Sequence, residues 1–289
     1  MNYLLHLLIM IGIYLILVYG LNLVVGFGGL LTLCHAAFYG IGAYAGTLLM
    51  VKAGLSFVPA CFLAMIITGI FALIIGFPAL KFRGDSFVLV TLGLQLIVFT
   101  VLYNWVDLTR GPYGIPGIPR PIIGGFEITE LPEYLVLVSV VAVLLGTVLF
   151  VIYKSPYGLA LKALRDDEMA AEGLGKPPVQ LFLYAFIISG MTASAAGMLY
   201  ASYVTYIDPT SFTLDESIFL LSILLVGGAG NRIGPFVGTV FMMLLPEGLR
   251  FLGLPDSMAP NVRQMIYGFV LILLMFLRPQ GIAGEFRVR

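Results

Sequence analysis

Runs of roughly 20 apolar residues, separated by short polar breaks, recur along the whole of this 289-residue chain. A run of that length, wound as a helix, matches the hydrocarbon thickness of a bilayer. Composition argues the same way. Hydrophobic residues make up 60% of the chain and charged residues 10%, with a mean hydropathy of +1.06, and so few charges cannot cover a soluble globule. The reading is an all-α integral membrane protein, a polytopic bundle forming one transmembrane domain over residues 1–289.

We place spans at 4–25, 34–51, 56–78, 86–106, 132–153, 179–202, 216–230, 236–252 and 262–278, about nine in all and within a range of eight to ten. The first run has no basic flank and no small-residue cleavage site, so it reads as a retained helix. Gly26, Gly28 and Gly29 weaken the helix around residues 24–44, which leaves a broken or re-entrant segment open there. A second glycine cluster at Gly227, Gly228 and Gly230 echoes the first, a weak hint of the internal duplication that transporters carry.

Two connections are long. Placing the most charged one, residues 154–178, in the cytoplasm and alternating sides puts the N-terminus outside and the C-terminus inside. Lys81, Arg83, Lys154, Lys162, Arg165, Lys176, Arg232, Arg278, Arg287 and Arg289 then lie inside, and Lys52, Arg110, Arg120, Arg250 and Arg263 outside. The other connection, 107–131, is external and carries TRGPYGIPGIPRP at 109–121, dense in glycine and proline and therefore turn-rich.

Several chemistries are disfavoured. Zero net charge gives no support to a nucleic-acid partner. Cys34 and Cys61 sit in apolar stretches and read as packing thiols, with no disulfide. His6, His35 and the scattered acids form no metal or nucleophile constellation, so no cofactor, metal or enzyme activity is expected. Gly175-Lys176 is followed by Pro177 and lacks the upstream glycine of a phosphate-binding loop, so ATP hydrolysis would belong to another chain. No charged residue well inside a span suggests an ion relay.

The inner connection reads SPYGLALKALRDDEMAAEGLG from Ser155 to Gly175, a short helix with both ends specified. Ser155 suits the N-cap and Pro156 the first helical position; Gly173 and Gly175 with Pro177 and Pro178 stop it. Tyr157, Leu161, Leu164 and Ala171 share one face while Lys162 and Asp166 point away. Such a helix can dock into a partner's groove or lie as a solvated interfacial loop, and the residues leave both open.

A substrate route needs polar or small lining groups. Thr91 and Gln95 are four apart on one helical face, and Ser189, Thr192 and Ser194 enrich the 179–202 span; His35 is a further candidate. Against this, Ala193, Gly197 and Ala201 form a small-xxx-small row, and polar residues beside such a row serve equally well to hold helices together. Tyr103 and Trp105, near a span end, read as interface anchors.

Six segments in order carry a resemblance: TLCHAAFYGIGAY (32–44), KFRGDSFVLVTLG (81–93), TRGPYGIPGIP (109–119), the 155–175 segment, GGAGNRIGPFVG (227–238) and RPQGIAG (278–284). Together the chain resembles the branched-chain amino acid ABC transporter permeases of the LivM type. The resemblance implies a permease importing branched-chain or other hydrophobic amino acids across a bacterial or archaeal plasma (inner) membrane. It also implies four kinds of neighbour: a second permease of the LivH type, two cytoplasmic ATPase subunits, an external substrate-binding protein and the lipid bilayer. The 155–175 segment becomes the coupling helix that receives the ATPase stroke, with Leu161, Leu164, Arg165, Asp166, Asp167, Glu168 and Gly173 as coupling residues. Its charged members would offer a partner charge-assisted hydrogen bonds. A translocation path would run past His35, Thr91, Gln95, Thr192 and Ser194. The chain departs from the family pattern at Arg110, Tyr113 and Ile115-Pro116, and again at Asn231 and Arg232. A urea or short-chain amide permease, or a stand-alone secondary transporter, is the alternative.

Overall fold

In the computed structural model the described residues are 2–250, Met265, Gly268, Phe269, Ile272 and 280–284. The expected span at 262–278 therefore lies outside them except at isolated positions. Each of the other eight spans corresponds to a helix: α1 (Asn2–Asn22), α2 (His35–Val51), α3 (Phe57–Ala79), α4 (Asp85–Asn104), α6 (Leu131–Lys154), α9 (Pro178–Val204), α10 (Leu214–Gly227) and α11 (Gly234–Arg250). Between them lie the short helices α5 (Val106–Thr109), α7 (Pro156–Asp166) and α8 (Glu168–Gly173). Two small strand pairs complete the order, β1 (Ile115–Pro116) with β4 (Tyr206–Ile207) and β2 (Ile122–Ile123) with β3 (Phe126–Glu127).

The helices differ in length for identifiable reasons. Five apolar helices among the described residues are long enough to cross a bilayer: Asn2–Phe27, Phe57–Ala79, Asp85–Asn104, Leu131–Lys154 and Pro178–Val204. The first includes a π-helical turn, Leu23–Phe27. Others are cut short: α2 has 17 residues, and α10, with 14, is only about 21 Å long against a core of about 30 Å. The glycines foreseen as a break make one. Gly29 adopts φ +71°, ending the π turn, and residues 28–34 are irregular before α2 begins at His35. His35 Nε2 donates to the Leu17 carbonyl at 3.0 Å, ten residues before Phe27, so α2 starts about 15 Å in from the end of α1. The 28–34 segment re-enters the bundle.

Two helices sit at the centre and others at the rim. Two thirds of the apolar window of α9 is buried but only 11% of that of α6, whose Val140, Val143 and Leu144 point outward. An apolar rim of this kind requires lipid around it. At the centre, α2 and α9 meet through small residues from both sides. A Cβ on Gly42 would lie 2.2 Å from Ser194 Cα, and one on Gly197 2.2 Å from the Tyr39 carbonyl. The row Ala193, Gly197 and Ala201 thus packs against a helix, letting two backbones approach.

Because α6 is 24 residues long, roughly 36 Å, the connections before and after it lie at opposite ends of the bundle. The 105–130 end is closed by the β1–β4 pairing, which ties it to the end of α9. The α7–α8 end gathers the last turns of α1, α3 and α10.

Candidate functional site

The connection after α6 begins as the residues dictate. The Ser155 side chain accepts from the Gly158 amide at 3.3 Å, and Pro156 occupies the first turn. It does not run on as one helix to Gly175. Asp167 is extended (φ −155°, ψ 103°) and its side chain caps a second helix by accepting from the Ala170 amide at 2.9 Å. Aspartate favours this role over a helix interior because its carboxylate competes for backbone amides. The stop falls where it was expected, at the second of its two glycines. Gly173 is exposed and unstrained, whereas Gly175 takes φ +77°, with Lys176 N bonding Ala171 O at 3.1 Å and Gly175 N bonding Glu172 O at 2.8 Å. That is the glycine-closed helix end in which two successive amides satisfy orphan carbonyls.

The apolar face of this element is consumed by the chain itself. Leu161, Leu164 and Ala171 are buried against the membrane helices, so the expectation that Leu161 and Leu164 face a partner is corrected. Tyr157 donates to the Leu181 carbonyl at 2.8 Å, and burial raises its pKa above the ordinary tyrosine value, so it remains a donor. The charges turn inward too. Glu168 pairs with Arg83 at 2.8 Å. Arg165 donates from Nη1 to the Gly26 carbonyl at 2.8 Å and from Nε and Nη2 to Asp166 Oδ1 at 3.1 and 3.0 Å. Lys162 lies 4.8 Å over the Phe27 ring instead of pointing away. Side chains that the residue pattern did not single out cover the outer surface: Leu159, Met169 at 83% and Leu174 at 82% exposure.

Beneath this element the two glycine clusters meet. Asn22 bridges them, its Oδ1 accepting from Gly230 N and its Nδ2 donating to Asn231 O, both at 2.9 Å. Residues 280–284 strap the end of α10, where Ile282 N and Ala283 N reach the carbonyls of Val226 and Gly227 at 2.8 and 3.0 Å. Two of the segments quoted for the resemblance, 227–238 and the end of 278–284, are thereby joined. Asn231, one of the departures, donates to the Ala283 carbonyl. Asn22 was missed although it is the one amide side chain in the 4–25 span, a polar signal of the kind that marked Gln95.

The proposed path residues are all buried, and four of them are bonded within the bundle. Gln95 Oε1 accepts from Ala37 N at 2.7 Å and from Ser217 Oγ at 3.3 Å, while its Nε2 donates to the Phe212 carbonyl at 2.8 Å. Thr91 accepts from Leu33 N at 3.1 Å. His35, besides Leu17, accepts from Ser189 Oγ at 3.5 Å, and Thr192 donates to the Ser189 carbonyl at 2.8 Å. Ser194 Oγ has no hydrogen-bond partner among the described residues. Gln95 and Thr91 thus satisfy backbone amides that the interrupted start of α2 leaves orphaned, and His35 ties that start to α1. Ser194 belongs to the α2–α9 contact, beside Gly42, whereas Thr192 lies against Gly20 of α1. Glu216, in the first turn of α10 and at the start of the expected 216–230 span, is half-buried and has a buried oxygen without a partner among the described residues. No group of three or more His, Cys, Asp or Glu able to hold a metal occurs among the described residues.

A family model described as branched-chain amino acid transport system / permease component matches residues 3–275. The high-affinity branched-chain amino acid transport system permease protein LivM of Salmonella typhimurium is 36% identical, covering 93% of this chain and 67% of its own. The protein of the same name from Escherichia coli is 35% identical with the same coverage. A probable branched-chain amino acid transport permease protein LivM of Methanocaldococcus jannaschii is 24% identical over 77% of this chain and 68% of its own. No solved structure matches. Matched by the model over most of its length and by two relatives above 30% identity, the chain belongs to the branched-chain amino acid transport permease family.

Proposed function

We propose that this multi-pass permease is the translocation subunit of an ATP-driven importer for branched-chain amino acids in a bacterial or archaeal inner membrane. It works beside a LivH-type permease, two cytoplasmic ATPase subunits and an external binding protein. In this reading the α7–α8 end is cytoplasmic, the N-terminus and the 107–131 loop are external, and transport proceeds by alternating access.

The observation that carries the reading is the α7–α8 element. It is capped at both ends and anchored to α1, to α9 and to the connection between α3 and α4, and it presents Leu159, Met169 and Leu174 outward. Exposed apolar side chains on a charged, water-facing element mark a protein contact. Asp166, Asp167, Glu172 and Lys176 are also exposed on this element, while Arg165 and Glu168 are bonded inward. Gln95, Thr91 and His35 then hold the start of α2, while Thr192 and Ser194 lie where α9 packs on its neighbours, so their part in translocation is to keep in place the helices whose rearrangement opens a path.

Reconstitution tests this. Purified with the ATPase subunits and binding protein, the complex takes up labelled leucine in proportion to ATP hydrolysed and does not take up urea. Uptake of urea instead, or uptake by this chain alone without ATP, would overturn the reading. Single-cysteine labelling that reaches both long loops from one side would overturn the orientation.

A further inference from the structure

The last carbonyls of a helix lack intrahelical partners and carry the negative end of its dipole. Two such ends converge beneath α7. At the end of α1, Gly29 N and Leu30 N return to Val25 O and Val24 O at 3.1 and 3.2 Å, while the Gly26 carbonyl is taken by Arg165. Beside it the turn after α10 runs through Gly230, at φ +79°. A Cβ built on Gly230 would lie 2.8 Å from Arg165 Nη1 and 2.9 Å from the Gly26 carbonyl, and one on Gly29 would lie 2.5 Å from Arg165 Cγ. The Arg165 side chain, 9% exposed, therefore fills the space between the two breaks, which Asn22 also ties to each other.

We propose that Arg165 is a positioning residue acting inward: it joins α7 to both glycine turns, so that α7, the end of α1 and the α10–α11 turn move as one body when the ATPase subunits act. This rests on the reading of α7–α8 as the ATPase-facing element and assigns its internal connection. The geometry suits the task. One guanidinium edge donates to the Gly26 carbonyl at the end of α1 and another donates to Asp166 on α7, so a pull on α7 is delivered to the backbone of α1. Its charge also offsets the negative end of α1, whose Gly26 carbonyl it holds. A lysine has one ammonium and cannot span both contacts in a fixed plane.

The test uses the reconstituted complex with its ATPase subunits and binding protein. Arg165→Gln keeps co-purification with the ATPase subunits and keeps ATP hydrolysis, while leucine uptake per ATP falls by about tenfold, the scale of cutting one link in a packed coupling network; Arg165→Lys recovers only part of it. Unchanged uptake per ATP in Arg165→Gln would sink the proposal. A second measurement leaves Arg165 intact. Spin labels at the exposed positions Ala163 and Ile233, in a background lacking Cys34 and Cys61, keep one separation in nucleotide-free and ATP-bound states if the unit is rigid. A separation that changes with nucleotide overturns the proposal even where the glutamine variant fails to fold. Failure of the coupling reading itself is distinguishable: ATPase subunits would then still co-purify with Met169→Asp, Leu174→Asp, whatever Arg165 does.

Discussion

At the 105–130 end of the bundle the chain holds its shape largely with backbone turns and short-range bonds such as those of Thr109, while at the α7–α8 end it does so with side chains driven between elements. The first end uses left-handed residues at Arg110, Gly111, Gly114 and Gly117 and a two-residue pairing of Ile115 and Pro116 with Ile207 and Tyr206. Tyr113 and Phe126 stand out from it at 80% and 81% exposure. The other end places Arg83 on Glu168, Arg165 on Gly26, Lys162 over Phe27 and Asn22 across the second glycine cluster. A turn-built loop can change shape with little effect on the helices that carry it, whereas a side-chain-filled junction passes displacement to whatever it touches. The contrast fits a surface that meets a soluble partner at one end and a force-bearing joint at the other.

The widest expected difference comes from two glycines with similar positive φ, Gly230 (φ +79°) and Gly117 (φ +72°). Gly230→Val adds a collision with Arg165 and Gly26 to the backbone strain and should destabilise by about 3 kcal/mol or more. Gly117→Ala, with nothing within 4 Å of its Cβ, should cost only about 1 kcal/mol of strain. Thermal unfolding in detergent reads both, and equal losses would break the comparison.

Next in size is Gly197→Leu, which belongs to neither end. Its side chain would push α2 away from α9 and should destabilise by about 1–3 kcal/mol, seen as reduced membrane abundance and uptake; wild-type values for both would show that the α2–α9 contact tolerates separation.

Met169→Asp with Leu174→Asp should leave unfolding unchanged, since both side chains are exposed, yet lower ATPase co-purification by about tenfold, equivalent to roughly 1.4 kcal/mol. Asp substitutions at Tyr113 and Phe126 should leave that co-purification intact, and a loss there would contradict the division of labour between the ends.

The smallest effect is expected for Glu168→Ala. Its pair with Arg83 is about one third exposed on each side, so screening limits the loss to about 0.5 kcal/mol, measurable as a small shift in unfolding temperature that vanishes in high salt. A large, salt-insensitive loss would mean that this pair carries load.

Much of the architecture was legible because it depends on local chemistry. Apolar runs of helical length place α1, α3, α4, α6 and α9 within a few residues of their observed bounds, and Ser155-Pro156 starts α7 where capping rules put it. Gly26, Gly28 and Gly29 marked the break that lets residues 28–34 re-enter. The division of 155–175 was not legible, since Asp167 reads as one more charge in RDDE until its extended backbone makes it a cap. Nor was the fate of Leu161, Leu164 and Arg165. Periodicity shows that a face is apolar, but not whether the partner buried against it is another subunit or the chain's own α1 and α9.

By itself, then, the sequence determined that this chain is a helical membrane protein, where its helices begin and break, and which family it resembles. These follow from hydropathy over windows of about 20 residues and from backbone preferences that act within a turn. Only the tertiary structure decided that Asn22, Arg165, Gly26 and Gly230, spread over more than 200 positions, form one junction, and that Gln95 braces the start of α2. A side chain's partner is set by which helix ends converge in space, and convergence depends on the packing of the whole bundle.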